Sequence, residues 1–256
     1  MSADAPALAA LAVLGLAVGS FLNVCIHRVP RKESIVSPGS RCASCGYALR
    51  WFDNVPLLSY ALLRGKCRKC GAGISIRYPI VELVTSLIFV AHYMALGPDI
   101  LLVPRLLFAC ALIVLFAIDL EHHLLPNVIT LPGILVGFAF SLLVPPGPLS
   151  SAIGILMGGG VLWLIGEAYY RYSGQEGMGG GDVKMLAMIG AFLGWELTLV
   201  TLVLSSVLGS VTGVAVLASG RGDMKYALPY GTFLALGALV ASLAGADILN
   251  WYIGLY

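Results

Sequence analysis

Charge is what this chain has least of. Only 11% of its 256 residues are Asp, Glu, Lys or Arg, against roughly a quarter in a soluble domain. That shortage excludes a water-soluble globule, and 59% hydrophobic residues make lipid the principal solvent. The apolar stretches also lack the polar alternation that a transmembrane barrel wall needs, which leaves helices, whose backbone groups are satisfied within each segment. No basic residue precedes the first apolar stretch, and the cluster HRVPRK at 27–32 follows it. A cleaved secretory leader has the opposite order, so this segment reads as an outside-to-inside anchor. Neither an H-E-x-x-H nor a Rossmann-type G-x-G-x-x-G after a strand is present. Adjacent His122 and His123 cannot chelate from one helix face and are read as interfacial, like His27; lone His92 is read as a packing residue.

What is there is a series of eight apolar stretches, at about 7–26, 79–96, 100–118, 128–144, 149–168, 183–195, 197–219 and 232–253. Most approach the roughly 20 residues that span about 30 Å of hydrocarbon; the sixth is short enough for a half-crossing. Ten of the fifteen Lys and Arg lie between Arg28 and Arg77. Basic residues collect on the cytoplasmic side, so this loop is placed inside, with Arg171, Lys184, Arg221 and Lys225, while Arg105 falls near an outer end. The expected fold is an all-α polytopic membrane protein of about eight transmembrane helices with a small zinc-binding cytoplasmic loop domain between helices 1 and 2. The domains are 1–27, the first helix; 28–78, the loop; and 79–256, a seven-helix membrane core.

The loop holds two C-x2-C pairs, Cys42 with Cys45 and Cys67 with Cys70, each followed by glycine. That spacing can close a tetrahedral four-thiolate zinc site, with the glycines suiting tight turns behind the sulfurs. So short a loop buries little apolar surface, and a metal would supply folding energy that a core cannot. In a reducing cytoplasm the disulfide alternative is disfavoured. Cys25 and Cys110, inside apolar stretches, are read as packing residues.

Ionisable groups at membrane depth are costly and call for a reason. Asp119 ends the third stretch, and Asp182 follows Gly179, Gly180 and Gly181 at the start of the sixth. The topology brings both to one face at similar depth. Two carboxylates within hydrogen-bond reach share a proton, and such a pair can activate water with one member while the other polarises a peptide carbonyl. The three glycines offer bare backbone and tolerance of positive φ beside it, against which an extended peptide could lie. Asp182 could instead cap the sixth helix. Glu121 is the nearest rival to Asp119, and Lys184, at i+2, does not face Asp182. A transporter or channel using buried carboxylates, or a zinc-loop membrane scaffold, are the alternative functions.

Three segments together resemble the type IV prepilin peptidases, or leader peptidase/N-methyltransferases. Gly179-Gly180-Gly181-Asp182 fits their G-x-G-D motif, AIDLEHHLLPN at 117–127 their first-aspartate segment, and the paired C-x2-C loop their cysteine region. GSFLNVCIHRVP (19–30), SIRYPIVELVT (75–85) and LPYGTFLALGA (228–238) are similar to further family blocks. The resemblance implies a bacterial inner-membrane enzyme with Asp119 and Asp182 as catalytic pair. It would cut the basic leader from prepilins or pseudopilins after a glycine, at the cytoplasmic face, in service of a type IV pilus or type II secretion. It also implies methylation of the new N-terminus with S-adenosylmethionine as donor, for which Glu82, at the inner end of the second stretch, is the candidate site residue. Glu33, Asp53, Glu121, Glu167 and Glu176 are expected to attract the leader. No nucleic-acid partner is expected.

Overall fold

The computed structural model describes residues 4–174, 179–219 and 229–255. All of its long elements are helices, and they fall into two compact units divided between Asp99 and Ile100.

The first unit contains α1 (Ala5–Arg28), a 3₁₀ turn (Trp51–Asn54), the short α2 (Leu58–Leu62) and α3 (Arg77–Leu96). Helices α1 and α3 run antiparallel. Small residues set their spacing: a Cβ on Gly15 would stand 2.6 Å from the Ser86 Cα, and one on Gly19 would stand 2.7 Å from the Glu82 Cα. Where lipid replaces water outside the helices, close packing and interhelical hydrogen bonds hold such a pair. The Ser86 hydroxyl donates to the Ala12 carbonyl at 2.9 Å, and Asn23 Nδ2 donates to the Tyr78 carbonyl at 3.0 Å. His92 is buried and its Nδ1 meets the Ile88 carbonyl at 2.9 Å.

The second unit holds α4 (Leu102–His122), α5 (Asn127–Ser141), α6 (Pro148–Ser173), α7 (Gly180–Ala218) and α8 (Tyr230–Ile253). Helix α7 packs against α5, α6 and α8, and its first half supplies Met185, Leu186, Met188 and Ile189 to a core shared with Phe108, Leu112 and Leu234. The sixth and seventh apolar stretches are both part of α7, parted by a non-helical residue, Gly194 (φ 77°, ψ 174°). The Ser150 hydroxyl and Pro146 crowd that residue so closely that only glycine fits. Among the described residues, six helices are long and apolar enough to cross a membrane, and α5, at 15 residues, is a shorter apolar one. Arg105, placed by charge near an outer end, is buried in the first turn of α4. Arg221, Lys225 and Glu176 lie outside the described residues.

The α6–α7 seam is the tightest in the unit. Gly154 would bring a Cβ to 2.6 Å from the Gly190 carbonyl oxygen, a Cβ on Gly190 would collide with the Gly154 backbone, and the Ser151 hydroxyl donates to the Ala191 carbonyl at 2.8 Å. Backbone cannot yield as a side chain does. Gly190→Val is therefore expected to destabilise the protein by about 3 kcal/mol or more, read as a collapse of folded yield or melting temperature in detergent; wild-type melting would contradict this packing.

Candidate active site and metal centre

The cysteine pairs fold as two copies of one hairpin, offset by 25 residues along the chain. In the first, the Gly46 N–H donates to the Cys42 carbonyl at 2.9 Å and the Cys42 N–H donates to the Tyr47 carbonyl at 2.9 Å. In the second, the Gly71 N–H donates to Cys67 at 2.9 Å and the Cys67 N–H to Ala72 at 2.8 Å. Antiparallel bridges Arg41–Ala48 and Lys66–Gly73 close the pair. Gly46 and Gly71 sit at φ 68° and 72°, the left-handed conformation that makes each turn a glycine position. Each hairpin thus aims two sulfurs toward the other's. Cys42 and Cys70 Sγ lie 3.9 Å apart, Cys45 and Cys67 Sγ 4.0 Å, and all four fall within 4.8 Å of one another. A tetrahedron with metal–sulfur bonds of about 2.3 Å has edges of about 3.8 Å, so the donor set fits a zinc-type dication.

Electrostatics agree. N–H groups of Cys45 and Ser44 help draw the Cys42 thiol down to about 6. The Ala72 N–H also favours a thiolate at Cys70, yet the neighbouring sulfurs and burial push that thiol up to about 11. Four sulfurs this close cannot all ionise unless a cation sits among them. The 3₁₀ turn buttresses the cluster. Burial alone would raise the Asp53 carboxyl, but Arg68 Nε at 2.7 Å and the Arg50 N–H at 3.3 Å hold it below its usual value. Asp53 is therefore buried and tied to Arg68, not a free surface acid as its sequence setting suggested.

A cavity of about 890 Å³ lies in the same unit, lined by the hairpins, α1 and the start of α3. Glu82 lines it, buried, with one carboxylate oxygen accepting the Leu57 N–H at 2.9 Å.

The aspartates belong to the second unit. Asp119 occupies the last turn of α4, where the helix dipole disfavours negative charge. The compensation comes from elsewhere. Its Oδ2 accepts both the backbone N–H of Thr232, at 2.8 Å, and the Thr232 hydroxyl, at 3.1 Å. Asp119 thereby serves the positive end of α8, adding a carboxylate acceptor to an amide that otherwise makes only a 3.2 Å bond to the Pro229 carbonyl at the N-cap. Glu121, two residues on, is exposed near His122, while Asp119 is buried.

Asp182 stands in the first turn of α7. Gly179 takes the N-cap position, and Asp182 is the acid of the first turn, where the helix dipole favours its charge. It feels the charge of Asp119, and Tyr230, hydrogen-bonded to Ser206, feels that of Asp182. Asp182 Oδ1 is buried without a hydrogen-bond partner among the described residues. Leu125 is the spacer between these elements. A Cβ on Gly181 would stand 2.9 Å from the Leu125 Cβ, and one on Gly231 would stand 2.8 Å from Leu125 Cδ1 and 2.9 Å from Asp119 Oδ2. Close approach, not positive φ, is what Gly181 is needed for. Gly179 is extended (φ −68°, ψ 131°), Gly180 begins the helix, and a Cβ on Gly180 would meet open space. Lys184 turns away, donating to Asn127 Oδ1 at 3.0 Å.

Thr232, Gly231 and Leu125 were not singled out from sequence. P-Y-G-T opening an apolar run is an ordinary helix start, and nothing local marks Leu125 as a spacer.

Two family models match the chain: the bacterial Peptidase A24 N-terminal domain over residues 13–96, and the type IV leader peptidase family over residues 106–214. A protein of Aeromonas salmonicida named prepilin leader peptidase/N-methyltransferase is 37% identical over 267 residues, covering 94% of this chain and 92% of its own length. Proteins of the same name from Myxococcus xanthus and Pseudomonas aeruginosa are 44% identical over 220 residues (84% of this chain, 65% of theirs) and 35% identical over 267 residues (94% and 91%). No solved structure matches.

Proposed function

The chain belongs to the type IV leader peptidase family, and on that footing we propose that it is a bifunctional prepilin leader peptidase and N-methyltransferase of the bacterial inner membrane. It cuts the basic leader from prepilins or pseudopilins on the cytoplasmic side, after a glycine, and methylates the exposed N-terminus from S-adenosylmethionine. The observation that carries the cleavage half is the meeting of Asp119 and Asp182 around Leu125, beside the bare backbone of residues 179–181.

The two carboxylates take different parts. Asp119, whose Oδ2 already accepts two hydrogen bonds, is the base: it removes a proton from water as the oxygen attacks the scissile carbonyl. Asp182, with a buried and unpartnered oxygen, carries the shared proton and gives it to the developing oxyanion. On collapse the leaving amine takes the proton held by Asp119 as the C–N bond breaks, and the oxyanion's proton returns to Asp182. Gly179, Gly180 and Gly181 form the wall for the extended leader junction.

Thr232→Val tests the division of labour. It keeps the N–H bond to Asp119 and removes the hydroxyl, and it should lower kcat about tenfold with little change in KM, while Thr232→Ser restores it. Equal kcat for Val and Ser would remove Thr232 from the mechanism.

The four cysteines would hold zinc in a structural role, ordering residues 40–74. Of the acids expected to attract a basic leader, Asp53 is tied to Arg68 and Glu167 to Arg171 at 2.8 Å, and Glu121 stands 4.0 Å from His122; exposed Glu33 serves that part. The deciding experiment incubates purified protein with a prepilin and methyl donor and weighs the products. Loss of the leader and gain of one CH₂ are read separately, and an intact prepilin would refute the cleavage reading.

A further inference from the structure

The loop between α1 and α3 leaves large apolar side chains uncovered beside its cysteine hairpins. Trp51 is 82% exposed, Leu58 56%, Leu62 74% and Ile76 62%. A cluster of this kind is a liability in water and marks a surface that something apolar covers. Leu58 and Leu62 stand four residues apart and share one face of α2. Tyr60, on the opposite face, turns inward: its hydroxyl donates to the Ile74 carbonyl at 3.4 Å and its ring lies against Gly65. The short helix also packs on the 3₁₀ turn that carries Trp51. The two leucines therefore point away from the hairpins.

Depth identifies what covers them. The Leu57 N–H, directly before α2, donates to the Glu82 carboxylate at 2.9 Å, and Glu82 lies beyond Arg77 by about 7.5 Å along α3. A helical side chain leans back toward the N-terminus by at most about one turn, 5.4 Å. Helix α2 thus begins no higher than the level of Arg77, the last basic residue before the apolar run of a membrane-length helix. Ile76 is the N-cap of that same helix. Residues 28–77 also carry ten Lys and Arg against two acids, Glu33 and Asp53, and Asp53 is buried against Arg68. Arg50, Arg64, Lys66 and Lys69, which flank Trp51 and α2 along the chain, are exposed. Apolar groups at this depth with cations around them match the boundary of an anionic bilayer. A basic peptide would meet like charge.

We propose that α2 and the 3₁₀ turn dock on anionic phospholipid of the cytoplasmic leaflet, with Trp51, Leu58 and Leu62 at the acyl boundary and Arg50, Arg64, Lys66 and Lys69 at the phosphates. The assignment rests on the cytoplasmic placement of this loop in the function above. The hairpins are then held to the membrane at three points, the ends of α1 and α3 and the face of α2, which limits their tilt.

The test uses the full chain, metal-loaded, in nanodiscs of phosphatidylcholine alone or with added phosphatidylglycerol. Trp163, Trp195 and Trp251 are replaced by Phe, so that Trp51 is the only tryptophan, and acyl chains brominated near the headgroup quench it on contact. The expected result is a loss of Trp51 fluorescence of about twofold or more in the anionic discs and much less in the neutral ones, abolished by Leu58→Ser with Leu62→Ser while the metal is retained. In wild type, amide exchange at residues 57–63 should slow about tenfold in the anionic discs. Trp51 unquenched in both lipids, or exchange indifferent to lipid charge, overturns the docking, and equal quenching in both overturns the anionic assignment. A second copy covering this face would show as an unquenched Trp51 with two chains per disc, which overturns it too. Placement is read separately, by protease added outside right-side-out vesicles: cutting within residues 30–75 overturns the cytoplasmic reading, and the disc result stands or falls by itself.

Discussion

Asp119→Asn and Asp182→Asn each remove leader cleavage, lowering kcat/KM by about 10³-fold or more, with the fold retained. The size follows from the chemistry: each variant deletes a proton donor or acceptor from a pair that works as a unit, and general acid–base catalysis alone accounts for roughly 10²–10⁴. On the proposal that the carboxylates share one proton, the double variant should be scarcely worse than either single one. Retention of fold is expected because Asn at 119 keeps an oxygen for the Thr232 N–H and hydroxyl, and Asn at 182 matches the shape of the first-turn Asp it replaces. The assay follows leader loss from a prepilin by mass, with melting temperature as control. Either variant cleaving at a tenth of the wild-type rate would dismiss the pair as the catalytic machinery.

Stripping the metal is expected to unfold residues 40–74 while α1 and α3 remain helical. Structural zinc contributes apparent binding energies of about 10–16 kcal/mol in small zinc domains, and the hairpins here are held by few contacts besides their own turns and the Asp53–Arg68 pair. Without a cation the four sulfurs repel as thiolates or must be protonated. Cys67→Ser should act like chelation, since Cys67 is the buried member of the set. The measurements are metal content per chain, predicted to be one ion in wild type and much less in the variant, and protease cutting between residues 30 and 75, predicted to accelerate sharply on chelation. A loop that resists protease equally with and without metal would show that hydrogen bonding alone supports it.

The helices were legible because an apolar run of twenty residues admits few structures in lipid, and the hairpins because C-x2-C-G carries its turn with it. Topology, which places helix ends by parity of crossings, led to the expectation that Asp119 and Asp182 share a face, and the packing of Leu125 against both Gly181 and Gly231 supports it. What escaped sequence reasoning depends on distant partners. Asp53 looks like a solvated acid until Arg68, fifteen residues later, arrives at 2.7 Å. Thr232 acquires meaning only when α8 starts against the end of α4. The need for Gly181 was attributed to backbone freedom; the actual constraint is the flank of Leu125. The break within α7 falls at one glycine among several in similar apolar surroundings, and the crowding by Ser150 and Pro146 that selects Gly194 is invisible along the chain.

That break has a mechanical result. A continuous helix transmits rotation, so each added or deleted residue turns everything beyond it by about 100°. With Gly194 out of helical geometry, the bearing of Asp182 depends on the fourteen residues from Gly180 to Leu193 and their grip on α5 and α6. The later half of α7 can drift in length and composition, to suit bilayers of different thickness, without re-aiming that carboxylate.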